Sequence, residues 1–357
     1  MIKKIEVAGR VIGDGFKTFI IAEAGANWKY CRDMDLNYKH AIKLINIAAD
    51  SGADAVKFQV YRAAKLYVKS AGHAGYIGKN KPIYDIIKDM EIPYEWIPEL
   101  KDRCDKRGIV FLATPFDEES VIVLEKAAIE LYKIASYTIS HLPLVEMIAR
   151  LNKPIILSTG ASNIADIDRA LETVSKWGND RIALMQCTAR YPASLETINL
   201  RVISTLKNKY DIPVGLSDHS RNPIVAPLGA VSIGANILEK HFTTDNSLDG
   251  PDHGFALLPE EFKMMVDYIR MMERAIGSGV KEIQKEEEEL HGFCRRKIYA
   301  VKDILQGESF SEDNIGVLRS GHAAKGLDPL EYGNAIGKRA RIRIKAGDPI
   351  TKEVLDE

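Results

Sequence analysis

Polar and ionisable side chains recur at the ends of short apolar segments in the first 250 residues. Each of eight such segments ends in at least one hydrogen-bonding or ionisable group. In chain order, these groups are Glu23, Lys57 with Gln59, Thr114, Lys133 with Ser136, Ser158 with Thr159, Thr188, Ser217 with Asp218 and His219, and Glu239 with Lys240 and His241. Two lysines among several hydroxyl groups are typical of a site for a small anion, and phosphate is the natural candidate. Lys57 and Lys133 would supply charge, and the neutral donors would be Thr114, Ser136, Ser158 and Ser217.

Two histidines, His219 and His241, end the last two of these segments. With water and substrate oxygens, two imidazoles make an open divalent-cation site of the catalytic type. A histidine also serves as an acid–base group or a structural one, so the pattern leaves these roles open. Asp252, in the nearby PDH segment, either binds substrate hydroxyls or caps a turn.

The apolar segments alternate with stretches of helical period, which predicts parallel strands joined by helices. The strand segments are 18–25, 53–61, 109–116, 131–136, 154–160, 182–188, 213–220 and 236–242, and helical candidates include 35–51, 94–107, 118–128, 163–176 and 259–276. Eight such units in about 250 residues fit a closed (β/α)8 barrel, a TIM barrel. No glycine-rich dinucleotide fingerprint follows the first strand, which disfavours an open doubly wound sheet. The barrel's active site would lie at the carboxyl ends of the strands, where the polar groups are.

The barrel is predicted over residues 1–276, a charged linker over 277–293 and a small β-rich unit over 294–357. At that size, the small unit should pack on the barrel or on a partner chain. A long insert, 62–92, follows the second strand on the side where barrel loops form active sites. It is either a lid that faces substrate or a flexible surface excursion.

The composition excludes several classes of function. With 49 basic and 50 acidic residues, the chain has no general attraction to nucleic acid or to anionic membranes. Its four cysteines form no CxxC pair, which suits a reducing compartment. No signal-peptide pattern is present and no uncharged run approaches the ~20 residues of a membrane helix, so we expect a cytoplasmic protein.

The motifs together resemble the sialic acid synthase family, which makes N-acetylneuraminic, legionaminic or pseudaminic acid. The resemblance covers nearly the whole chain and includes a C-terminal antifreeze-like (SAF) module of the β-clip type. Its motifs, in order, are AEAGAN, GADAVKFQ, FLATPFD, YKIAS, LSTGAS, CTARYP, PVGLSDHS, EKHFT and GPDH. Each motif alone is common, whereas their joint order at barrel spacing is specific.

The resemblance implies that phosphoenolpyruvate condenses with an N-acyl amino-sugar aldehyde and that phosphate is released. Phosphoenolpyruvate would be held by the lysines and hydroxyls named above, and Mn²⁺ or Mg²⁺ by His219 and His241. Glu23, Gln59, Tyr191 and Asp252 match family positions that line the sugar and the reaction centre, and Glu23 would handle a proton. Arg319 matches an arginine that reaches into the barrel of a partner subunit, since family members are typically domain-swapped homodimers.

Three residues depart from those common in the family: Trp28, Ala189 and Ser320. The segment PIYDIIKDMEIPYEWIPEL resembles the pseudaminic-type branch, whereas GPDHGF resembles the neuraminic and legionaminic branches. The acceptor therefore stays open between N-acetylmannosamine and a 2,4-diacetamido-trideoxyhexose.

Three other functions remain as alternatives. A Schiff-base aldolase on the same barrel would use Lys133 or Lys57 as a nucleophile. A keto-deoxy-octulosonate-type synthase would share phosphoenolpyruvate but would need further basic residues for a sugar phosphate. A binding protein with an inert barrel would have no reason to retain two lysines at the strand ends.

Overall fold

The computed structural model describes residues 4–73, 81–323 and 325–356. The chain folds into two compact units, one up to residue 277 and the other from residue 278 onward. Residues 278–293 are grouped with the second unit, so the structure does not separate a linker, and the linker at 277–293 stays a prediction. Among the described residues, no helix is long and apolar enough to cross a membrane.

The first unit is a closed barrel of eight parallel strands, which confirms the predicted fold. Its strands are β3 (Phe19–Gly25), β4 (Ala55–Val60), β5 (Val110–Pro115), β6 (Tyr132–Ile134), β7 (Ile155–Ser158), β8 (Ile182–Cys187), β9 (Val214–Asp218) and β10 (Ile237–His241). They pair in chain order, and β10 closes the ring against β3. A short antiparallel hairpin, β1 (Ile5–Val7) and β2 (Arg10–Ile12), precedes the barrel.

Helices surround the barrel and begin where the sequence supplies caps. They are α1 (Met34–Asp50), α2 (Ala63–Leu66), α3 (Ile83–Asp89), α4 (Trp96–Arg107), α5 (Glu118–Lys126), α6 (Leu142–Arg150), α7 (Ile164–Ser175), α8 (Leu195–Ile198), α9 (Arg201–Tyr210), α10 (Val225–Ser232) and α11 (Pro259–Ile276). The Asp33 side chain accepts hydrogen bonds from the first backbone N–H groups of α1, and Asn163 forms a capping box with Asp166 at α7.

Strand alternation sorts the barrel side chains into an outer and an inner set. The outer set, such as Ile20, Val56 and Phe58, packs against the helices in the larger core. The inner set is apolar in the amino-terminal half of the barrel, where Ile21, Leu112, Ala183 and others meet the hairpin. Hairpin residues Ile5, Val7 and Ile12 belong to the same cluster, so β1 and β2 close the amino-terminal mouth. Inside the barrel, the carboxyl-terminal half is therefore where polar side chains lie.

The second unit has its own small core. It contains α12 (Glu288–Phe293), β11 (Arg296–Ala300), β12 (Ile315–Arg319) and α13 (Tyr332–Ala335). Strands β11 and β12 pair antiparallel, and isolated bridges such as Ile304 with Ile344 join other segments. Ile298, Phe310 and Ile350 are among the residues of its buried cluster.

Candidate active site

A cavity of about 360 Å³ opens at the carboxyl ends of the barrel strands, within the size range of small-molecule sites. Twelve of the thirteen predicted site residues line it: Glu23, Lys57, Gln59, Thr114, Lys133, Ser136, Ser158, Tyr191, Ser217, His219, His241 and Asp252. The thirteenth, Arg319, ends β12 in the second unit and is exposed.

The inner end of the cavity is a buried cluster of two lysines and two glutamates. Lys57 Nζ lies 2.8 Å from a Glu23 carboxylate oxygen and 3.5 Å from Glu239 Oε1. Lys133 Nζ lies 3.0 Å from Glu239 Oε2, so Glu239 bridges the two ammonium groups. Strand register causes part of this arrangement, because Glu23 is paired with Lys57 on one side and with His241 on the other.

Burial and charge shift the pKa values of this cluster in different directions. Burial would raise the pKa of Glu239, but Lys133 and Lys57 outweigh it and hold that pKa at about 2. Burial raises the pKa of Glu23 and lowers the pKa of Lys133, despite their oppositely charged neighbours. Glu239 is therefore ionised at neutral pH, and an incoming anion would stabilise the charged form of Lys133.

Hydroxyl groups surround the two lysines. Thr114 Oγ1 accepts a hydrogen bond from Lys57 Nζ at 3.2 Å, and Ser217 Oγ donates to Glu239 at 3.1 Å. Ser136 Oγ accepts from the Gly160 N–H at 3.0 Å. Ser158 Oγ is buried and has no hydrogen-bond partner in the part of the chain that the structure describes. A buried hydroxyl without a partner is costly, so this group points to a ligand in the cavity.

Gly160 lies against this group of hydroxyls. A Cβ at this position would lie 2.8 Å from both Ser136 Oγ and Cys187 Sγ, so a side chain would displace them. We expect Gly160→Ala to weaken the binding of inorganic phosphate about ten-fold, as measured by titration calorimetry, through the loss of about one hydrogen bond to a charged group. Gly292→Ala, where a Cβ meets nothing within 4 Å, is the matched control and should bind like the wild type. Equal binding by both variants would contradict the assignment of Ser136 to the anion.

The two histidines lie side by side at one wall, with ring centroids 5.4 Å apart. His219 Nδ1 is 2.9 Å from the Thr188 carbonyl oxygen, to which it donates, so in the neutral ring its Nε2 is left as an acceptor. Burial would lower the pKa of His219, but the neighbouring Cys187 outweighs it and raises that pKa. His241 Nδ1 is buried and has no hydrogen-bond partner within residues 4–73, 81–323 and 325–356, although Asp252 Oδ2 lies 3.7 Å away. Burial and the neighbouring His219 hold the pKa of His241 well below its usual value, so this imidazole is neutral and able to bind a cation.

These imidazoles suit one divalent ion that is only partly held by protein. Among the described residues, no group of three or more histidine, cysteine, aspartate or glutamate side chains is arranged to hold a metal. An ion at His219 and His241 would thus need water or substrate oxygens to complete its coordination, as in an open catalytic site. The unpartnered His241 Nδ1 is the observation that favours such an ion.

Asp252 and Gln59 lie beside Glu23 on the same side of the cavity. Burial raises the pKa of Asp252 to about 6, although the nearby charges of His219 and Lys57 counter the rise. Gln59 Nε2 donates to Glu23 Oε1 at 3.2 Å. A Cβ on Gly25 would lie 3.1 Å from both Asp252 Oδ2 and Glu23 Oε1, so the positive-φ glycine leaves room for two carboxyl groups. The Tyr191 ring covers His219, with ring centroids 4.2 Å apart.

Four polar residues that the sequence placed at this mouth do not line the cavity: Thr159, Thr188, Asp218 and Lys240. The Thr159 hydroxyl donates to the Met185 carbonyl oxygen at 2.9 Å. The side chains of Lys240 on β10 and Asp218 on β9 point to the outside of the barrel, where they form a buried ion pair at 2.5 Å. The Thr188 hydroxyl donates to the Thr197 carbonyl oxygen and does not line the cavity. Sequence reasoning also missed Cys187, which lines the cavity 3.8 Å from His219 Nδ1. Strict period-two phasing of each strand would have separated these inner and outer residues.

The long insert supplies part of the outer wall. Lys65, Leu66 and Tyr67 line the cavity from α2 and the residue after it, and Ile87 and Met90 line it from α3 and its end. Residues 74–80 of this insert, which include Gly75 and Gly78, lie outside the described residues.

The three departures from the resembled family have distinct surroundings. Trp28 is buried and packs edge-on against Trp96, with ring centroids 5.4 Å apart, so its ring does not face the cavity. The Ala189 carbonyl oxygen accepts a hydrogen bond from the Tyr137 hydroxyl at 3.2 Å. Ser320 Oγ donates to the Arg295 carbonyl oxygen at 3.2 Å, within the second unit.

Comparison with known proteins gives matches over both units. The sequence model of the NeuB family matches residues 44–281, and that of the SAF domain matches residues 295–355. The chain is 42% identical over 339 residues to the spore coat polysaccharide biosynthesis protein SpsE of Bacillus subtilis, which spans 91% of this chain and 89% of the relative. It is 40% identical over 340 residues to an N,N'-diacetyllegionaminic acid synthase of Campylobacter jejuni, over 94% of this chain and 99% of that enzyme.

A solved structure resembles the chain in the same way. The crystal structure of N-acetylneuraminic acid (sialic acid) synthetase from Leptospira borgpetersenii, in complex with citrate, superposes with a TM-score of 0.73. Its sequence is 34% identical, and the match covers 82% of this chain and 96% of that one.

Proposed function

The chain belongs to the NeuB family, and from this premise we propose that it is a nonulosonate synthase. It condenses phosphoenolpyruvate with an N-acyl amino-sugar aldehyde and water, and it releases phosphate, as a carbon–carbon bond-forming transferase. The observation that carries the proposal is the inner cluster, in which two buried lysines and the unpartnered Ser158 hydroxyl lie in one cavity with two histidines. The predicted cytoplasmic location stays a prediction.

Phosphoenolpyruvate would occupy the inner end of the cavity. Lys57 and Lys133 would bind its phosphate and carboxylate together with the four hydroxyls of Thr114, Ser136, Ser158 and Ser217. Such charge-assisted hydrogen bonds are about twice as strong as neutral ones. Glu239, which the sequence placed at the strand ends without a role, would keep the two ammonium groups charged and fixed before the anion arrives.

The acceptor sugar would lie with its aldehyde near the histidines. His219 and His241 would hold a divalent ion, Mn²⁺ or Mg²⁺, whose chemistry when bound is Lewis-acid polarisation of the aldehyde. Gln59, Tyr191 and Asp252 would contact the sugar. In a domain-swapped homodimer, Arg319 of a second copy would contact the acyl-amino group.

The reaction follows from the positions of the two substrates, with phosphoenolpyruvate at the inner end of the cavity and the aldehyde near the histidines. The C2–C3 double bond of phosphoenolpyruvate supplies the electron pair for the new bond from C3 to the aldehyde carbon, whose oxygen takes a proton. Water adds at C2 and loses a proton, and cleavage of the C2–O bond releases phosphate. Glu23 is the proposed proton carrier, because burial raises the pKa of its carboxyl group and Gln59 and Lys57 fix its position.

Cations near the mouth are engaged elsewhere, which disfavours a phosphorylated acceptor. The Arg62 guanidinium stacks on Tyr94, 3.3 Å from the ring centroid, and also donates to the Ile92 carbonyl oxygen. Lys29 is paired with Asp89. Of the described residues that line the cavity outside the inner cluster, only Lys65 carries a lysine or arginine charge, beside the apolar wall of the insert. A keto-deoxy-octulosonate-type reaction on a sugar phosphate therefore has little support.

A phosphate-release assay tests this proposal directly. With Mn²⁺ and phosphoenolpyruvate, we expect phosphate release with N-acetylmannosamine or with a 2,4-diacetamido-trideoxyhexose, and none with a pentose phosphate. The acceptor with the higher kcat/KM identifies the branch of the family to which the chain belongs. Chelation of the metal should stop release, and added Mn²⁺ should restore it. No release with any acceptor would refute the synthase and would leave the Schiff-base aldolase and the binding protein as the remaining functions.

One observation favours the Schiff-base aldolase as a second candidate: burial lowers the pKa of Lys133, which helps an amine to act as a nucleophile. Borohydride reduction in the presence of pyruvate distinguishes the two. The synthase should gain no mass, whereas an aldolase would gain a reduced pyruvyl adduct on Lys133 or Lys57.

A further inference from the structure

Two loops at the mouth are joined by a buried histidine, His253. One loop follows β3 and the other follows β10. His253 is fully buried, with its Nδ1 2.6 Å from the Thr243 hydroxyl and its Nε2 3.3 Å from the Lys29 carbonyl oxygen. A carbonyl oxygen only accepts, so Nε2 carries the proton and Nδ1 accepts from the threonine.

A second histidine, His40 of α1, joins the same two loops through the neighbouring residues, Trp28 and Thr244. Its Nδ1 is 3.2 Å from the Trp28 carbonyl oxygen, and its Nε2 is 2.8 Å from the Thr244 hydroxyl. Burial lowers the pKa of His40 to about 4 and also lowers the pKa of His253, so both rings are neutral at pH 7. Each imidazole thus donates to a backbone carbonyl of the first loop and accepts from a hydroxyl of the second.

We call this arrangement the histidine clasp, and its members are Trp28, Lys29, His40, Thr243, Thr244 and His253. Asn27 adds a third connection, because its side-chain amide donates to the Phe242 carbonyl oxygen at 2.8 Å. Residues 27–29 of the first loop are therefore connected to residues 242–244 of the second. Asn27 is bonded directly to Phe242, whereas His40 links Trp28 to Thr244 and His253 links Lys29 to Thr243.

Asp252 lies directly before His253, and it is held between the same two loops. Its Oδ2 lies 3.7 Å from His241 Nδ1, at the end of β10. On the side of the first loop, a Cβ on Gly25 would lie only 3.1 Å from the same oxygen. A shift of one loop against the other would move this carboxylate away from the position where the acceptor would bind.

We propose that the histidine clasp is a positioning device that fixes Asp252 for the acceptor sugar, and that it leaves phosphoenolpyruvate binding untouched. The kinetic part rests on the proposed function. The lysines and hydroxyls assigned to phosphoenolpyruvate lie on β4–β9 or directly after these strands, and their hydrogen bonds do not involve the clasp.

Thr243→Val tests the proposal, since valine keeps the shape and removes the hydroxyl that His253 accepts from. We expect kcat/KM for the acceptor to fall between about 10-fold and about 100-fold, because small misplacements near a reacting centre have effects of that size, with the KM for phosphoenolpyruvate within about two-fold of wild type. Hydrogen–deuterium exchange should rise in segments 26–31 and 243–253. Thr18→Val is the matched control, a buried threonine at the opposite end of the barrel whose hydroxyl reaches the Ala235 carbonyl oxygen at 3.4 Å.

Equal effects of Thr243→Val on both substrates, or a loss of stability alone as with Thr18→Val, would overturn the proposal. If Thr243→Val does not fold, His253→Gln replaces it, since glutamine can keep the bond to Lys29 and lose the one to Thr243. A wild-type protein that releases no phosphate from phosphoenolpyruvate would refute the synthase instead. In that case unchanged exchange in both segments of the variant would still refute the clasp.

Discussion

Replacing His241 by alanine should lower kcat at least about 10³-fold and remove the response to Mn²⁺. The side chain is buried at the cavity wall, and its Nδ1 has no hydrogen-bond partner among the described residues. Lewis-acid polarisation contributes several kcal/mol to a barrier, and each 1.36 kcal/mol is about ten-fold in rate. His219→Ala should behave alike. Phosphate release at several Mn²⁺ concentrations measures the rate, and the paramagnetic resonance signal of free Mn²⁺ measures binding without turnover.

The control for these variants is His322→Ala, a histidine of the second unit that is exposed. It should keep wild-type turnover and wild-type Mn²⁺ binding. Thermal unfolding should remain cooperative for all three proteins, so that the loss is assigned to the site. Wild-type activity in His241→Ala or in His219→Ala would contradict the assignment of a divalent ion to these histidines. The proposed binding of phosphoenolpyruvate would not be affected by that result.

The barrel and the family could be predicted from sequence because both depend on local patterns. Apolar segments that alternate with capped helices specify β3 to β10 without knowledge of any contact, and the ordered motifs specify the sialic acid synthase resemblance, which the family match confirms. The match to the SAF domain confirms the predicted C-terminal module. The hairpin β1–β2 was not predicted, although alternating Ile5 and Val7 before an Ala8–Gly9 turn with positive φ angles gave a signal.

Most of the polar lining of the cavity was also predictable, since polar strand ends converge at one mouth of a barrel. The sequence did not predict which groups pair inside it. No partner was predicted for either lysine, whereas Glu239 and Glu23 neutralise the two lysines in part. Such pairing depends on strand register across neighbouring and opposite strands, which no local pattern contains. The same lack of phasing placed Asp218 and Lys240 wrongly at the mouth.

Glu239→Gln should make the stability of the barrel depend on an added anion. Glu239 contacts Lys57, Lys133 and Ser217, and its pKa of about 2 shows that the folded barrel favours the carboxylate. Removal of one partner of a buried ion pair costs about 3–5 kcal/mol because the other charges stay buried. We therefore expect a lower midpoint of thermal unfolding for the variant at pH 7 in anion-free buffer, together with a large loss of kcat.

Phosphate or phosphoenolpyruvate should then raise the unfolding midpoint of Glu239→Gln more than that of the wild type, because a bound anion replaces the missing carboxylate between the two lysines. The sign of the pH effect follows from the lowered pKa. The contribution of Glu239 to stability is complete above the ordinary carboxyl pKa of about 4.5 and is lost as the pH falls towards about 2, so wild type and variant should converge in acid. Glu261→Gln, which breaks the half-exposed pair with Arg221 outside the cavity, is the control and should show no anion dependence. Equal shifts with phosphate in Glu239→Gln and in the wild type would mean that the anion does not bind between Lys57 and Lys133, and the proposed position of phosphoenolpyruvate would then be wrong.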